Sequence, residues 1–247
     1  MQHLTRPFNS YKTELQSITK ELSTLPKGFL LKKNTTYAHR IGRNDRGITT
    51  DSELIQRLCR KRFLTAWKLQ HEHNLSILAG KNTPPDSRKP REIIRDLPAT
   101  YQQLPEHFFH HPAIKTWKKE TFQKNNFQKE NLIYESSAGT YVRSKSELLI
   151  ANLLEKYGLV YRYDALVQLE GKKISPDFLI KNPFNQKTVI WEHFGALNQE
   201  NYIEKMHQKM SLYQKNGYKQ FENIVYTFEP DVRVVQHLQQ LIELVLF

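Results

Sequence analysis

The 247-residue sequence has a single cysteine, Cys59, and no apolar stretch long enough to cross a bilayer. One cysteine cannot form an internal disulfide, so a disulfide-stabilised secreted domain is excluded and a reducing compartment is expected. The segment Met1–Ser10 also lacks the apolar run of a secretory signal. These absences predict a cytoplasmic protein with no membrane partner.

Hydrophobic residues are also scarce, at 38% of the chain, which is low for a globular protein. Aromatic residues compensate, because 12 Tyr, 13 Phe and 3 Trp can fill a core. Wholesale disorder is therefore not expected. The length fits one large domain or two small ones.

The excess of positive charge is confined to the first half of the chain. Residues 1–130 contain 24 Lys and Arg against 12 Asp and Glu, whereas residues 131–247 contain 13 of each kind. A basic segment beside a neutral one favours a part that binds a polyanion, attached to a part with another task. A generally basic, soluble surface is the simpler alternative. We predict two domains, a basic and mainly helical nucleic-acid-binding module (1–130) and a second domain (131–247).

The basic module contains a helix that we predict to run from Ser52 to about Asn74. Thr50 and Glu53 have the spacing of a capping box at its start. Before it, residues 28–41 predict a strand pair, and RNDRG a loop. The helix carries five basic residues that form either an ordinary solvated face or a phosphate-contacting one: Arg57, Arg60, Lys61, Arg62 and Lys68.

The second domain has the pattern of a mixed sheet covered by helices. A helix is predicted over Ser144–Tyr157, ended by Gly158, and two antiparallel strands over Lys173–Ile180 and Thr188–Phe194. A helix over 199–216, a buried strand over 221–228 and a final helix over 232–246 follow. This order predicts the α/β class.

Three acidic residues occur at positions where chemistry is expected. Asp177 (in SPDFLI) and Glu192 (in VIWEHFG) lie in the two antiparallel strands, among apolar neighbours. Side chains on one side of paired strands lie about 5 Å apart, so the two carboxylates can meet. Buried carboxylates are costly unless a cation neutralises them, which favours a hard divalent metal. Glu147, near the start of the preceding helix, shares a face with Ala151 and Leu154; taken alone, it is better explained as a charge at a helix start.

This ordered set resembles the PD-(D/E)xK nuclease superfamily, whose fold is restriction-endonuclease-like. The similarity spans about Tyr141–Phe228, a little over a third of the chain, and rests on RSKSE, PDF and WEHFG. The ending of the last motif resembles a bacterial variant with an E-H-x-G pattern. The resemblance implies a metal-dependent endonuclease in which Asp177, Glu192 and Glu147 bind Mg²⁺ or Mn²⁺. Arg143 and Lys145 would then contact the phosphate, or would simply be solvated at the helix start.

The sequence departs from the superfamily at one position. A lysine usually stands two residues after the second acid, where this chain has Phe194. Either another group has taken over the lysine's role or the site does not catalyse. Lys209 is the first candidate, since it shares a helix face with Tyr202 and Tyr213, although a solvated lysine explains it equally well. His193 is the second, provided that the strand bends near Gly195.

These observations predict a DNA endonuclease, because most members of the resembled superfamily cut DNA. The alternative is a nucleic-acid-binding protein with a degenerate, non-catalytic nuclease fold, and RNA is not excluded as a substrate. Cleavage of both strands of a duplex usually needs two active sites, which is compatible with a homodimer.

Overall fold

The computed structural model describes residues 2–80 and 85–247, with side chains from Ser10 onward. The chain divides into two compact units, and the boundary along the chain lies between His111 and Pro112. The boundary predicted from the sequence, between residues 130 and 131, lies later than this one. Residues 112–130 belong to the second unit because the guanidinium of Arg162 stacks on Trp117, 4.1 Å from its ring centroid, and on Phe122.

The first unit joins two long helices to a small sheet. Helix α1 (Gln2–Thr24) is followed by the antiparallel strands β1 (Phe29–Lys33), β2 (Thr36–Ile41) and β3 (Asn44–Thr49). Helix α2 (Ser52–Leu78), the short helices α3 (Pro90–Arg95) and α4 (Ala99–Gln102), and a single 3-10 turn (Glu106–Phe108) complete it. The first unit therefore has a three-stranded sheet beside its helices. The third strand was not predicted, because the segment RNDRG, predicted as a loop, contributes to β3.

The start of α2 differs from the predicted capping box. Asp51 is the N-cap residue, and its carboxylate accepts hydrogen bonds from the amides of Glu53 (2.9 Å) and Leu54 (3.1 Å). Asp51 lies one residue after Thr50, the predicted cap. An acidic side chain suits the positive end of the helix dipole.

The second unit is built around a mixed four-stranded sheet. After α5 (Ala113–Lys119), a 3-10 turn (Lys129–Asn131) and the paired strands β4 (Tyr134–Glu135) and β5 (Tyr141–Val142), helix α6 (Lys145–Lys156) begins. Then follow β6 (Val160–Tyr163), the hairpin of β7 (Val167–Leu169) and β8 (Lys172–Ile174), β9 (Phe178–Lys181) and β10 (Thr188–Phe194). Helix α7 (Glu200–Lys215), strand β11 (Ile224–Phe228) and helices α8 (Glu229–Val232) and α9 (Val235–Leu246) end the chain.

The strand order in this sheet is β11-β10-β9-β6, with β10 and β11 parallel and the other pairs antiparallel. Every residue of β10 from Val189 to Phe194 is buried, so the sheet is covered on both sides. On one side, Tyr213 of α7 packs on Ile190 and Ile224. On the other side, Glu155 and Glu147 of α6 accept hydrogen bonds from the hydroxyl groups of Tyr161 and Tyr163, respectively. The α/β class and the mixed sheet are confirmed.

The predicted strand over Lys173–Ile180 is interrupted in the structure. Strand β8 ends at Ile174 and pairs only with β7, whereas β9 begins at Phe178 in the main sheet. Pro176 has no amide hydrogen and cannot continue a ladder. Asp177 therefore lies immediately before β9 rather than inside a strand.

Among the described residues, none of the helices combines the length and the apolar character that a membrane-spanning segment needs.

Candidate active site

Glu192 is the most deeply buried acid of the candidate site. In β10, side-chain alternation places Glu192 on the same side as Ile190, facing α7. Its side chain is 1% exposed, and its carboxylate accepts hydrogen bonds from Tyr213 Oη (2.5 Å) and Lys209 Nζ (2.8 Å). Burial, reinforced by the charge of Asp177, raises its pKa to about 7 despite the opposing effect of Lys209.

Lys209 reaches this carboxylate from helix α7. Its ammonium group lies 2.7 Å from Glu192 Oε1 and also donates to the carbonyl of Ser175 at 2.9 Å. The negative charges of Glu192 and Asp177 raise the pKa of Lys209 against the effect of burial, so the side chain stays cationic. Lys209 therefore lies at the second acid, as expected for the first-choice substitute of the missing strand lysine.

Asp177 lies on the neighbouring chain segment, one position before the Phe178–Trp191 pair of β9 and β10. Its Oδ2 accepts a hydrogen bond from the backbone amide of His193 at 2.6 Å. Its Oδ1 receives no hydrogen bond from the residues that the structure describes and is not sealed from solvent. Burial raises the pKa of Asp177, although Lys209 acts in the opposite direction.

Phe194 occupies the sheet position at which the resembled superfamily has its lysine. The ring is 4% exposed and packs against the rings of Tyr226 and Phe228, with centroids 5.9 Å away in both cases, and Tyr202 lies at 6.5 Å. An apolar residue at this position leaves Glu192 without a cationic neighbour on its own strand. Lys209 supplies that neighbour from the helix above.

His193 points to the other side of the sheet, so the bend on which its catalytic candidacy depended does not occur. Its imidazole is 3.2 Å from Thr227 Oγ1 and 3.2 Å from Glu229 Oε1. The strand continues regularly through Phe194, paired with β11, so no bulge turns the ring towards Glu192. Only the backbone amide of His193 reaches the acids. Gly195 leaves space for this arrangement, because a Cβ there would lie 3.1 Å from Glu229 Oε1.

Glu147 forms the capping box of α6. Its Oε2 accepts hydrogen bonds from the amides of Arg143 (2.8 Å) and Ser144 (2.9 Å) and from the hydroxyl of Tyr163 (3.1 Å). Burial and then the charge of Asp177 raise its pKa, which places the two carboxylates within electrostatic range of each other. Glu147 thus combines a structural role at the helix start with proximity to the candidate site.

Arg143 and Lys145 flank Glu147 but differ in their contacts. The guanidinium of Arg143 is bound to Asp164 Oδ2 at 2.5 Å and to the carbonyl of Phe127 at 2.8 Å. This ion pair makes Arg143 a structural residue in this conformation. Lys145 is exposed at the first turn of α6 and remains compatible with a phosphate contact.

The five basic residues of α2 do not form one phosphate-contacting face. Arg60 is 3% exposed and makes a two-pronged ion pair with Glu21, plus a hydrogen bond to the carbonyl of Phe109 (2.9 Å), so both sequence-based alternatives for it were wrong. The ammonium group of Lys61 caps the carbonyls of Pro26 (2.9 Å) and Gly28 (3.2 Å). These bonds hold α1 and β1 against α2.

The other three basic residues of α2 lie nearer to the surface. Arg57 is exposed and donates to the carbonyl of Thr24, and Lys68 forms a 3.4 Å ion pair with Glu72 one turn later. Arg62 is exposed and makes no hydrogen bond or ion pair within the part of the chain that the structure describes. These three side chains are the ones that α2 can offer to a polyanion.

Two groups at the site were not predicted from the sequence. The hydroxyl of Tyr213 binds Glu192, although the sequence indicated only that its ring faces inward. The carbonyl of Ser175 binds Lys209, a contact that depends on the break before β9. Lys209 and Tyr213 are four residues apart and share one helix face. This spacing is the sequence signal that could have revealed the contact of Tyr213.

The acids can be compared with the needs of a divalent cation. Within residues 2–80 and 85–247, no three His, Cys, Asp or Glu side chains are arranged as a ready-made metal site. Asp177 and Glu192 still provide hard oxygen donors close together, and burial disfavours their charged forms in the absence of a cation. Mg²⁺ often binds through one or two carboxylates and keeps several waters, so this pair fits it.

Comparison with known proteins adds little to this geometry. No protein-family model matches the chain, and no solved structure matches it. A stretch of 82 residues, 33% of this chain, is 33% identical to an uncharacterized protein of Methanocaldococcus jannaschii. That stretch covers 7% of the archaeal protein, so the chain spans only a small part of this relative's length.

Proposed function

We propose that this protein is a metal-dependent nuclease with a restriction-endonuclease-like core, which hydrolyses phosphodiester bonds of DNA. One observation carries the proposal: a lysine ammonium group lies 2.7 Å from a buried carboxylate, with a second carboxylate beside it on the adjacent chain segment. The element order supports it as well. An acid-bearing helix, a strand after Pro-Asp, a strand with the second acid, a helix and a parallel strand follow one another.

The proposed cation site consists of Asp177 and Glu192, with Mg²⁺ or Mn²⁺ as the ion. When bound, such an ion lowers the pKa of a water molecule and stabilises the charge that develops on the phosphate. Asp177 Oδ1 is available to a ligand, whereas Oδ2 is fixed by the amide of His193. Glu192 must give up its proton to act, and its pKa of about 7 makes that step sensitive to pH near neutrality.

Lys209 has the proposed role of the displaced strand lysine. In the absence of substrate, its ammonium group neutralises Glu192 and is held by the carbonyl of Ser175. With the cation on the two carboxylates, the ammonium group can turn to a phosphate oxygen or orient the attacking water. Tyr213 keeps the Glu192 carboxylate in place during this exchange, because its hydroxyl donates to Oε1.

The test is divalent-dependent cleavage of plasmid, single-stranded DNA and RNA by matched variants. Lys209→Ala is expected to lower the cleavage rate at least about a hundredfold, the usual effect of losing one preorganised charge donor. Lys205→Ala is the control, since Lys205 lies on the same helix one turn earlier and is exposed. Asp177→Ala and Glu192→Ala are expected to abolish cleavage while leaving the protein folded. Full activity in either acid variant would refute this site.

His193→Ala separates the two candidates for the cationic role. Because the ring lies on the other side of the sheet, the variant is expected to retain most of its activity. An inactive His193→Ala protein together with an unaffected Lys209→Ala protein would mean that the assignment is reversed. Normal cleavage by both variants would mean that no side-chain cation is required.

A second function is favoured by the contacts that already occupy the acids of the candidate site. Glu192 is already bound by Lys209 and Tyr213, Glu147 by the start of α6, and Phe194 replaces the strand lysine. A nucleic-acid-binding protein that retains the fold without catalysis would have these features. Binding of DNA without cleavage, with any of Mg²⁺, Mn²⁺ or Ca²⁺, would favour this alternative.

A further inference from the structure

Residues of the first unit line a cavity of about 510 Å³, and none of the residues of the carboxylate site is among them. Residues 28–31 form one wall, helix α2 forms another with Leu58, Lys61, Arg62 and Thr65, and Pro98, Thr100 and Tyr101 complete the lining. Its size is in the range of cavities that hold small ligands, about 300–1,000 Å³.

The cavity combines apolar walls with a cation, Arg62, that has no ion pair among the residues described. Phe29 is 39% exposed at its rim, and Leu30 and Leu58 are buried in its walls. The guanidinium of Arg62 makes no hydrogen bond or ion pair in the part of the chain that the structure describes. Lys61 also lines the cavity, but it is bound to two carbonyl groups. The surrounding unit, residues 1–111, carries 19 basic and 10 acidic residues, so an anionic ligand is favoured.

The edge of β1 supplies a hydrogen-bond acceptor to the same cavity. The amide of Leu30 points away from β2 and donates to the hydroxyl of Tyr101 at 2.9 Å. In a strand, the carbonyl of a residue points to the same side as its amide. The Leu30 carbonyl therefore also faces away from β2, and no hydrogen bond from the described residues reaches it.

A peptide strand cannot take this edge. The Leu30 amide is occupied by Tyr101, and the carbonyl of Gly28 by Lys61, so a continuous backbone ladder along β1 is blocked. The groups that remain for a ligand are the ring of Phe29, the carbonyl of Leu30 and the guanidinium of Arg62. They match a ligand with a flat ring, a hydrogen-bond donor for the carbonyl and an attached anion. We propose that this cavity binds one nucleotide, with the base against Phe29 and the Leu30 carbonyl, and the phosphate at Arg62. The nucleotide is either free or an unpaired residue of a nucleic-acid strand.

The test is calorimetric titration of the full chain with AMP, adenosine and inorganic phosphate, in EDTA so that no cleavage can occur. AMP is expected to bind at least about tenfold more tightly than either fragment, because both halves of the cavity are then filled. Equal affinity for inorganic phosphate would reduce the site to a surface cation and overturn the proposal. Tighter binding of octanoate than of AMP would also overturn it, since the cavity would then take an anionic alkyl chain.

Two variants connect the binding to the cavity. Arg62→Ala is expected to weaken AMP binding at least about tenfold, the effect of losing a charge-assisted hydrogen bond. Lys20→Ala is the matched control, because it removes one exposed positive charge from the same unit outside the cavity. Thr100→Trp fills the cavity without a change in charge and is expected to abolish binding of AMP, with an unchanged circular-dichroism spectrum as proof of folding. Unchanged AMP binding by Arg62→Ala would refute the assignment.

The source of the nucleotide is resolved by competition. If a single-stranded, 5′-phosphorylated oligonucleotide displaces AMP and a blunt duplex does not, the cavity holds an unpaired nucleotide of a strand. If AMP binds and neither polymer displaces it, the cavity takes a free nucleotide. If neither AMP nor the single strand binds, the proposal is wrong. None of these outcomes depends on cleavage, so a failure of the nuclease proposal would be distinguishable.

Discussion

Replacing Glu192 by glutamine should make the stability of the protein less sensitive to pH. The amide keeps the size of the side chain, and its oxygen can still accept from Tyr213 and Lys209. The substitution removes a carboxylate that is 1% exposed. In the folded chain, the pKa of this carboxylate rises from the ordinary 4.5 to about 7. The ionised form of Glu192 is thus disfavoured by folding.

The magnitude follows from the difference between the two pKa values. Between pH 4.5 and 7, the folded protein holds a proton on Glu192 that the unfolded chain has released, so stability falls as pH rises across this window. Each pKa unit corresponds to about 1.36 kcal/mol, which gives a loss of about 3 kcal/mol that is complete above pH 7. Glu192→Gln should lack this loss.

The assay is urea unfolding of both proteins at pH 5 and pH 8. The wild type should lose about 2–3 kcal/mol more than Glu192→Gln over this interval. Glu200→Gln serves as the control, since Glu200 is exposed at the start of α7, and it should reproduce the wild-type dependence. Identical pH dependence in the wild type and Glu192→Gln would refute the burial argument, and with it the electrostatic case for a cation at this site.

Three further predictions concern other parts of the molecule. Arg60→Ala should lower the free energy of unfolding by about 3–5 kcal/mol in chemical denaturation, because Glu21 would keep a poorly solvated charge, whereas Arg57→Ala should cost less than about 1 kcal/mol. A fragment of residues 112–247 should bind DNA more weakly than the full chain in anisotropy titrations, and full-length binding should weaken steeply with salt; equal affinities would contradict a role for the basic unit. Mg²⁺ should raise the melting temperature more at pH 8 than at pH 5.5, since protonated Glu192 cannot bind it, and an equal shift would argue against Glu192 as a ligand.

Local patterns predicted most of the second unit. The helix predicted over Ser144–Tyr157 and ended by Gly158 is α6, and the turn with Asn182, Pro183 and Asn185 after β9 separates two strands as expected. Alternation in paired strands also predicted that the carboxylates of Asp177 and Glu192 could meet on one side. These features depend on spacing of 2 or 3.6 residues and on turn chemistry, which are properties of short segments.

The errors have a common physical origin in contacts between distant segments. Arg60 looked like one member of a solvated basic face, but Glu21, 39 residues earlier, neutralises it inside the first unit. His193 was a candidate only if the strand bent near Gly195, and Thr227 and Glu229 instead hold its ring on the opposite side. Charge and periodicity along one segment do not reveal which partner another segment will supply.

The position of Lys209 shows what each level determined. By itself, the sequence predicted that two acids could meet on neighbouring chain segments, that Phe194 stands where the resembled superfamily has a lysine, and that Lys209 shares a face with two tyrosines. Only the tertiary structure decided that this face packs on the sheet, with the ammonium group 2.7 Å from Glu192 rather than in solvent. A helical pattern fixes which side chains share a face, but the packing of that helix decides what the face contacts, and this depends on the whole apolar surface that α7 and β10 bury together.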